Sequence, residues 1–566
     1  CCPMSGRRPR SNLMVFERLE PETAGHHNQK KILLKRMSNL SESVHLQTAK
    51  LIPLKEGFMA RKTGKEYVDS LKGLHPEVYF MGKKIDNIVD KPMFHPHIHT
   101  AAMTYELAHC PEYEEIMTAT SHLTGERVNR FTHIHQNTDD LVKKVRMMRL
   151  LGQKTGTCFQ RCVGLDALNA IYTVSYEIDE KKGTSYHHNF TNFLEYVQNN
   201  DLMSAGAMTD PRGDRSLKPH EQKNPNTFLH IKEQNKDGII VNGAKAHITG
   251  VINSHEIIAM PTRAMTEKDE SFSLAFAIPV DTPGIKLVFS RQTNDTRRLE
   301  SPLDSGNPKY AIVGGEALVL FHNVFIPWER VFMAGEHEFA AQLVETFAGH
   351  HRANYGGCKV GLADVVIGAS QWVTEAHGIA KASHIVDKLT EMVSLAETCW
   401  SCSLACSYEG QKTRSGAFNI NPLLANVTKL NITRMVYEWM RIAHDIAGGK
   451  IITLPSEMDV NNPELKDMIK ESFEGKEGVE VDDIFKMLRL IENMSVGAGL
   501  PEAMHGAGSP AAQKLMIARR SNIEQKRKCA ETVCGIQQDE EFVNIIGKPE
   551  EQYWEEYKKA IDRSSS

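Results

Sequence analysis

The sequence predicts an α+β protein of several domains: an N-terminal helical domain, a middle β-barrel domain and a C-terminal helix bundle. Two patterns support this fold class. Apolar residues recur every three or four positions in the first third of the chain and again after about residue 336, as they do in amphipathic helices. Between these segments, short apolar runs are separated by proline and glycine, which is typical of strands and turns.

The predicted domain boundaries follow these changes in pattern. The chain begins Cys1-Cys2-Pro3, and we expect residues 1–58 to be a leader that is disordered or spurious. We also expect a charged insertion inside the C-terminal bundle, near residues 456–483. The other predicted segments are the helical domain at 59–205, the β domain at 206–335, the bundle at 336–540 and a tail at 541–566.

The composition excludes several classes of protein. Lysine and arginine number 67 against 71 aspartates and glutamates, so the net charge of −4 gives no reason to expect a nucleic-acid partner. No apolar run approaches the roughly 20 residues of a membrane span. Eleven cysteines in 566 residues are too few for a disulfide scaffold. We therefore expect a cytoplasmic protein with reduced thiols, in which clustered cysteines are candidate ligands.

Individual elements can be placed within these domains. Residues 65–71 have the spacing of an amphipathic helix. The apolar runs 228–231 and 239–241 flank Asn235-Lys236-Asp237-Gly238, which predicts a hairpin with Gly238 at a positive φ. In the bundle, five residues fall on one helix face: Ile385, Leu389, Met392, Ala396 and Cys399.

Two pairs of residues could together hold one metal centre. Cys158 and Cys162 are four residues apart and are expected on one face of a helix. His351 and Cys358 are seven apart, which corresponds to two helical turns. Three thiolates and one imidazole suit either zinc or a [4Fe–4S] cluster. Simple core packing is the alternative for each pair.

Other histidines and cysteines are expected to have no metal. Cys402 and Cys406 share a helix face with Cys399, where free cysteine acts as a small apolar residue. The tract His95-Pro96-His97-Ile98-His99 is expected to lie in a solvated loop, because no carboxylate stands beside it.

Several polar segments could contact a cofactor or a substrate. One loop offers hydroxyl, carboxylate, glycine and guanidinium groups that suit a flavin edge or a diphosphate, although a plain turn is the alternative. Its candidate residues are Met208, Thr209, Asp210, Arg212, Gly213, Asp214 and Arg215. Further candidates are His247, Ile248 and Thr249 after the hairpin, and Asp445, Gly448 and Gly449 at a helix end. Glu316 precedes an apolar strand, where burial would raise its pKa, and Glu502 opens a glycine-rich segment.

Five motifs resemble signatures of the 4-hydroxybutyryl-CoA dehydratase/vinylacetyl-CoA-Δ-isomerase family: LGQKT (151–155), CFQRC (158–162), AMTDP (207–211), YGGCKVG (355–361) and MHGAGSP (504–510). The resemblance runs from about Lys65 to about Ile536. It implies the acyl-CoA dehydrogenase fold, a homotetramer built as a dimer of dimers, FAD, and a [4Fe–4S] cluster rather than zinc. The implied cluster ligands are Cys158, Cys162, His351 and Cys358.

The implied reaction is loss of water from 4-hydroxybutyryl-CoA to give crotonyl-CoA, with isomerisation of vinylacetyl-CoA as a second activity. The thioester does not acidify the C3 hydrogen, so acid–base catalysis alone is insufficient. The family uses a radical mechanism, in which FAD transiently oxidises a substrate enolate by one electron.

The resemblance also implies roles for individual residues. His351 is the family candidate for the base that takes the C2 proton, and Glu502 is a competing candidate. Tyr355 and Glu316 would protonate or orient the leaving hydroxyl, and Lys359 would stabilise an anionic flavin. Thr249, the backbone around His247 and residues 208–215 would contact the flavin, and residues 445–449 would reach the FAD of a neighbouring subunit.

Two other functions fit part of the same pattern. An FAD-dependent aromatic hydroxylase of the 4-hydroxyphenylacetate 3-monooxygenase type would share the scaffold but lack the cluster cysteines. A non-catalytic flavoprotein would keep the cysteines without turnover. The four cluster ligands therefore distinguish the dehydratase from the hydroxylase.

Overall fold

The computed structural model describes residues 61–291, 300–310, 314–495, 499–536 and 550–564. The predicted leader at 1–58 and much of the predicted tail lie outside these residues. The described chain combines long helices with β-sheets, so the α+β class is confirmed. None of its described helices is long and apolar enough to cross a membrane.

The helices of the described residues are α1 (Gly64–Leu71), α2 (His95–Glu106), α3 (Glu114–Met117), α4 (Thr138–Thr155), α5 (Cys162–Lys182), α6 (Tyr186–Asn199), α7 (Pro302–Ser305), α8 (His337–Ala376), α9 (Ser383–Tyr408), α10 (Pro422–Ala447), α11 (Glu457–Val460), α12 (Lys466–Phe473), α13 (Val481–Ser495), α14 (Gly499–His505), α15 (Pro510–Arg520), α16 (Ile523–Val533) and α17 (Glu550–Ser564).

The strands are β1 (Val78–Phe80), β2 (Lys83–Ile85), β3 (Thr118–Thr120), β4 (Arg127–Asn129), β5 (Ser204–Ala207), β6 (His230–Gln234), β7 (Gly238–Ile248), β8 (Glu256–Ala259), β9 (Leu274–Pro279), β10 (Ile285–Phe289), β11 (Ala317–Pro327), β12 (Val331–Ala334), β13 (Gln411–Lys412) and β14 (Phe418–Asn419).

The middle strands form two sheets rather than a barrel. One sheet has the order β2-β1-β10-β11-β7-β6, and the other has the order β12-β9-β8-β5. A closed barrel requires its first and last strands to pair. The edge strands of each sheet do not pair within the described residues, so no closed barrel is seen there and the predicted barrel is not confirmed. The sequence also assigned residues before 205 to helices alone, whereas β1 and β2 extend the larger sheet and β1 runs parallel to β10.

The larger sheet covers an apolar core with one face. Along β10, the side chains of Ile285, Leu287 and Phe289 are buried, whereas Lys286 and Val288 between them are exposed. This alternation follows from the two-residue period of a strand. Residues of α1 and α2 complete the same core. The apolar runs predicted from the sequence therefore mark the inward face correctly.

The predicted hairpin forms between β6 and β7, but its glycine has another role. The amide of Asn235 donates to the carbonyl oxygen of Gly238 at 2.9 Å, which closes the turn. Gly238 is not among the glycines with positive φ, so that part of the prediction was wrong. A Cβ at this position would instead overlap the backbone of Ile326 on β11. Gly238 is therefore needed for close approach between neighbouring strands.

The helix α8 is the centre of the C-terminal bundle and packs closely against α4. A Cβ added to Gly357 would lie 2.6 Å from the carbonyl oxygen of Val145, and one added to Gly152 would lie 3.0 Å from the Cα of Gly361. Such contacts need glycine, because any side chain would push the helices apart.

The helix face predicted for α9 is confirmed, since Ile385, Met392 and Ala396 are buried. Cys399 and Cys406 are fully buried in apolar clusters, which confirms their assignment to core packing.

Candidate functional site

The structure brings the four predicted cluster ligands to one pocket. Cys158, Cys162, His351 and Cys358 all line it, although nearly 200 residues separate the two pairs in the sequence. The pocket contains about 420 Å³ of space not filled by atoms, part of which is open to solvent. Its lining also includes four predicted site residues of other roles: Thr249, Tyr355, Lys359 and Glu502.

Cys158 and Cys162 do not share a helix face, so this detail of the sequence prediction was wrong. The helix α5 begins only at Cys162, and Cys158 lies in the preceding turn. Gln160 between them has φ of 73°, in the left-handed region that a right-handed helix does not contain. Its buried side chain fixes the turn, since its Nε2 donates to the carbonyl oxygen of His97 at 2.9 Å. The turn, rather than a helical face, directs both thiols to the pocket.

Of the three thiols of the pocket, that of Cys162 is buried, and those of Cys158 and Cys358 are partly buried. Burial raises the pKa of Cys158 and of Cys162 above the usual value for a thiol. Burial also raises the pKa of Cys358 to about 11, although the adjacent Lys359 opposes this. Without a cation, these groups are therefore neutral thiols at pH 7. A bound cation would favour the thiolates, which are the forms that ligate metals.

His351 is held by a buried carboxylate that the sequence analysis missed. Its Nδ1 lies 2.8 Å from Oδ2 of Asp166, and the same oxygen accepts a hydrogen bond from Asn354 at 2.6 Å. The other oxygen of Asp166, Oδ1, accepts from Lys144 at 2.9 Å. Burial acts to raise the pKa of Asp166, but Lys144 and His351 outweigh it and hold the pKa below its usual value. The sequence contained a clue, because Asp166 interrupts the apolar run VGLDAL one helical turn after Cys162.

Tyr355, Lys359 and Glu502 form a second hydrogen-bonded group in the pocket. The Tyr355 hydroxyl donates to Oε1 of Glu502 at 3.0 Å, and the Lys359 ammonium donates to Oε2. Burial acts to raise the pKa of Glu502, but Lys359 and the Tyr355 hydrogen bond help to bring it below its usual value. Burial and the Glu502 charge raise the pKa of Tyr355 well above its usual value. The group therefore contains an ionised carboxylate beside a protonated phenol.

A further buried lysine, Lys429 of α10, supports this group and was also missed. Its Nζ lies 3.5 Å from the centroid of the Tyr355 ring and donates to the carbonyl oxygen of Ala503. Burial lowers the pKa of Lys429 well below its usual value, although Glu502 opposes this. The local sequence gives no clue, because a lysine every few residues is ordinary in an amphipathic helix.

Glu316 contacts Thr249, which lines the pocket. The Thr249 hydroxyl lies 3.4 Å from Oε1 of Glu316. Burial and the charge of Glu502 raise the pKa of Glu316 to about 7, as the sequence predicted from its position before β11. A Cβ on the nearby Gly314 would overlap Thr249 and lie 3.1 Å from the Cys158 sulfur, so this glycine allows the two segments to meet.

The residues of the predicted flavin loop have different surroundings. Asp210 is engaged by the protein: its Oδ1 pairs with Lys245 at 2.7 Å and its Oδ2 accepts from Thr262 at 2.7 Å. Thr209 and the segment from Arg212 to Arg215, including Gly213 and Asp214, are exposed, whereas Met208 is half-buried. Asp210 therefore anchors the loop, and the exposed residues are the ones available to a ligand.

The end of β7 approaches this loop. His247 has φ of 58°, and its pKa is lowered by partial burial, by Arg212 and by His505. His247 thus lies within electrostatic range of both the loop and His505. Ile248 is buried in the core, so only its backbone is available to a cofactor. Thr249 is the member of this segment that lines the pocket.

The predicted residues at the end of α10 lie elsewhere on the chain. Asp445 pairs with Lys388 at 2.7 Å and is half exposed. Gly448 and Gly449 follow the helix and face open space, with no atom of a neighbouring segment within 4 Å of an added Cβ. The residues lining the pocket of this chain do not include these three.

The histidine tract at 95–99 is not a solvated loop, so that interpretation was wrong. The three histidines lie in the first turns of α2, where Pro96 is tolerated because its missing N–H would have no partner in the helix. His97 is only 2% exposed, and a Cβ on Gly315 would lie 2.9 Å from its Nδ1. His97 is therefore a buried residue, and its carbonyl oxygen accepts the hydrogen bond that holds Gln160.

Comparison with known protein families and sequences gives matches over most of the chain. Residues 63–333 match the N-terminal domain model of 4-hydroxyphenylacetate 3-hydroxylase, and residues 340–535 match its C-terminal domain model. The 4-hydroxybutyryl-CoA dehydratase/vinylacetyl-CoA-Δ-isomerase of Clostridium aminobutyricum is 51% identical over 488 residues, which cover 84% of this chain and 99% of that protein. The oxygenase component of 4-hydroxyphenylacetate 3-monooxygenase from Geobacillus sp. (strain PA-9) is 27% identical, over 76% of this chain and 87% of that protein.

Solved structures give the same two kinds of relative. An oxygen-tolerant archaeal 4-hydroxybutyryl-CoA dehydratase from N. maritimus superposes with a TM-score of 0.82 at 45% identity, over 87% of this chain and 100% of that one. The oxygenase component of 4-hydroxyphenylacetate 3-monooxygenase in complex with FAD superposes with a TM-score of 0.74 at 23% identity, over 83% of this chain and 98% of that one. At this lower identity, the second match establishes the fold alone.

Proposed function

The chain belongs to the 4-hydroxybutyryl-CoA dehydratase/vinylacetyl-CoA-Δ-isomerase family, and from this premise we propose how it acts. It removes water from 4-hydroxybutyryl-CoA to give crotonyl-CoA, and it moves the double bond of vinylacetyl-CoA. The observation that carries the assignment of the site is the meeting of Cys158, Cys162, His351 and Cys358 at one pocket with Tyr355 and Glu502.

We propose that these four residues hold a [4Fe–4S] cluster. A single zinc ion needs its ligands within about 2.0–2.3 Å of one point. No group of three or more His, Cys, Asp or Glu side chains in the described parts of the chain is close enough to hold such an ion. A cluster binds each ligand through a different iron, so its ligands stand further apart. The choice of the cluster over zinc rests on the family resemblance, and the shared pocket of the four residues is compatible with it.

We propose that FAD binds beside the same pocket. Thr249 lines the pocket, and the exposed guanidinium groups of Arg212 and Arg215 suit the diphosphate of the cofactor. The related oxygenase structure in complex with FAD supports a flavin on this fold. When bound, FAD would supply the reversible one-electron oxidation that makes the C3 hydrogen acidic.

The two carboxylates near the pocket are suited to opposite tasks. Glu502 is held ionised by Lys359, so we assign it as the base for the C2 proton. Glu316 has a pKa of about 7 and holds a proton in much of the neutral range, so we assign it as the acid for the leaving hydroxyl. Two carboxyl groups whose environments move their pKa values apart are the usual basis of such a division. Tyr355 stays protonated and orients Glu502 or the substrate through its hydroxyl.

We further propose a homotetramer, in which residues 445–449 contact the FAD of a neighbouring subunit. The open space around Gly448 and Gly449 leaves their backbone accessible to another chain. Light scattering of the purified protein tests this, and a stable monomer with bound FAD would contradict it.

The cluster is tested by the variant Cys158→Ala in protein purified without air. We expect about four iron atoms per chain in the wild type. The variant should lose both the iron and dehydration of 4-hydroxybutyryl-CoA. The matched control is Cys402→Ala, because this half-buried cysteine of α9 does not line the pocket. Dehydration at the wild-type rate by Cys158→Ala would contradict the ligand assignment.

The same preparations distinguish the aromatic hydroxylase and the non-catalytic flavoprotein. The family models and the 27% identical relative make a hydroxylase the second candidate. That enzyme would consume oxygen with reduced flavin and contain no iron. A non-catalytic protein would retain iron but would not convert either thioester.

A further inference from the structure

A carboxylate lies in the middle of the apolar helix α5. Asp166 is 0% exposed, and its neighbours Leu165, Ala167 and Leu168 belong to the hydrophobic clusters of the domain. An isolated buried carboxylate costs several kcal/mol, so such a residue persists only with good partners. Asp166 has three, contributed by two further helices: Lys144 of α4, and His351 and Asn354 of α8.

The hydrogen bonds of Asp166 determine which nitrogen of His351 carries the proton. An ionised carboxylate can only accept hydrogen bonds. Lys144 occupies Oδ1, while Asn354 and Nδ1 of His351 share Oδ2. The Nδ1 atom must therefore carry its hydrogen, and in a neutral imidazole the lone pair then belongs to Nε2.

We propose that Asp166 is a positioning residue that fixes the tautomer and the ring orientation of His351, so that Nε2 is the atom presented to the pocket. This inference rests on the proposed function, in which His351 is a cluster ligand. A carboxylate that accepts from the second nitrogen of a ligating histidine holds the ring in place and strengthens the ligand.

The surroundings of the pair make this orientation rigid. Lys144, itself 1% exposed, offsets the buried charge and also donates to the carbonyl oxygen of His350 at 3.2 Å. Asn354 lies one helical turn after His351 and binds the same carboxylate oxygen. Because the partners come from three packed helices, the imidazole cannot turn without breaking contacts between them.

The test compares two neutral double variants of the full chain. In Lys144→Met with Asp166→Leu, the acceptor and the buried cation are removed together, so no unpaired charge is left inside. In Lys144→Met with Asp166→Asn, an amide oxygen is still available to Nδ1 of His351. The two variants have the same charge and the same number of side-chain heavy atoms at position 166, and they differ in whether His351 has an acceptor.

Two readouts are measured on each variant. The first is the rate at which an iron chelator removes iron from the anaerobic enzyme. We expect this rate to be 10–100-fold faster in the leucine variant than in the asparagine variant, which is the usual effect of losing such a partner. The second is the ¹⁵N spectrum of histidine-labelled full-length protein without metal, in which the His351 signals are assigned by their loss in His351→Gln. We expect the Nδ1–H tautomer in the wild type and in the asparagine variant, but not in the leucine variant.

The outcomes separate this inference from the proposed function. Equal iron release from both variants, or an unchanged His351 tautomer in the leucine variant, would overturn the role of Asp166. A wild-type protein without iron would end the cluster proposal, and the ¹⁵N spectrum would still decide whether Asp166 fixes the tautomer. A merely structural role would lower the melting temperature of both variants without separating them in either readout.

Discussion

The hydroxyl of Tyr355 lies 3.0 Å from Oε1 of Glu502, and the glycine at position 506 leaves room for this contact. A Cβ built on Gly506 would overlap the Tyr355 hydroxyl and lie 3.1 Å from Oε1 of Glu502. The glycine-rich segment after α14 is therefore part of the site through its lack of a side chain.

The first prediction is that Gly506→Ala strongly lowers kcat for dehydration but lowers the free energy of unfolding only moderately. The added methyl must displace Tyr355 or Glu502, and a shift of about 1 Å in a catalytic group can cost roughly 100-fold in rate. We expect kcat to fall 10- to 100-fold, and the free energy of unfolding to fall by less than about 3 kcal/mol.

The control for this variant is Gly368→Ala in α8. An added Cβ there has no neighbour within 4 Å, and alanine is favoured over glycine in a helix by about 1 kcal/mol. We expect wild-type kcat and unchanged or slightly greater stability. A wild-type kcat in Gly506→Ala would show that the contact between Tyr355 and Glu502 is not needed.

The sequence predicted much of the site because its motifs are local, and the family assignment made from them is confirmed. His351 and Cys358 lie on one helix, so their spacing alone placed them together. The turn at Gln160 could not be derived in this way, since its positive φ depends on buried contacts with His97 and Asn253.

The residues that were missed are buried ionisable side chains whose partners are distant in the sequence. Asp166 and Lys144 are 22 residues apart, and Lys429 contacts a ring 74 residues away. Such pairs arise from tertiary packing, and no local period reveals them. The layout of the β domain could not be predicted for a similar reason, because the strand runs do not reveal which strands form the edges of a sheet.

The second prediction concerns the pKa of Glu502. Burial acts to raise this pKa, and Lys359 is the strongest influence that lowers it. Lys359→Met should therefore raise the pKa of Glu502, and the acidic limb of the kcat/KM profile should move to higher pH. Lys429→Met removes a weaker influence and should move the limb less. Profiles are measured from the lowest pH at which the wild type stays folded up to pH 9, and a Lys359→Met profile whose acidic limb coincides with that of the wild type would contradict Glu502 as the ionised base.

The third prediction is that Gly357→Ala destabilises the fold. The new Cβ would lie 2.6 Å from the carbonyl oxygen of Val145 and 2.8 Å from the Cβ of Met148, so α8 must move away from α4. Overpacking of this kind costs about 1–3 kcal/mol. Chemical denaturation measures the loss against the control Gly368→Ala, which lies on the same helix. Equal midpoints for the two variants would mean that the two helices separate without cost.

The fourth prediction is that ionisation of Glu316 lowers the free energy of unfolding as the pH rises. Its pKa is about 7 in the folded chain against an ordinary value of 4.5. Between these values the folded state holds a proton that the unfolded state has released, so the free energy of unfolding falls as the pH rises through this window. Above about pH 8 both states are ionised, and the loss is complete. Its size is at most on the order of 3 kcal/mol.

Glu316→Gln removes this titration, and the measurement is therefore a difference between two proteins. Glu256 also has a pKa raised to about 7 by burial, but its contribution is common to both proteins and cancels. We expect the variant to gain stability relative to the wild type from pH 5 to about pH 8, and the gain to stay constant at higher pH. A difference in melting temperature that is the same at every pH would mean that Glu316 is ionised throughout, and it would remove Glu316 as the proton donor to the leaving hydroxyl.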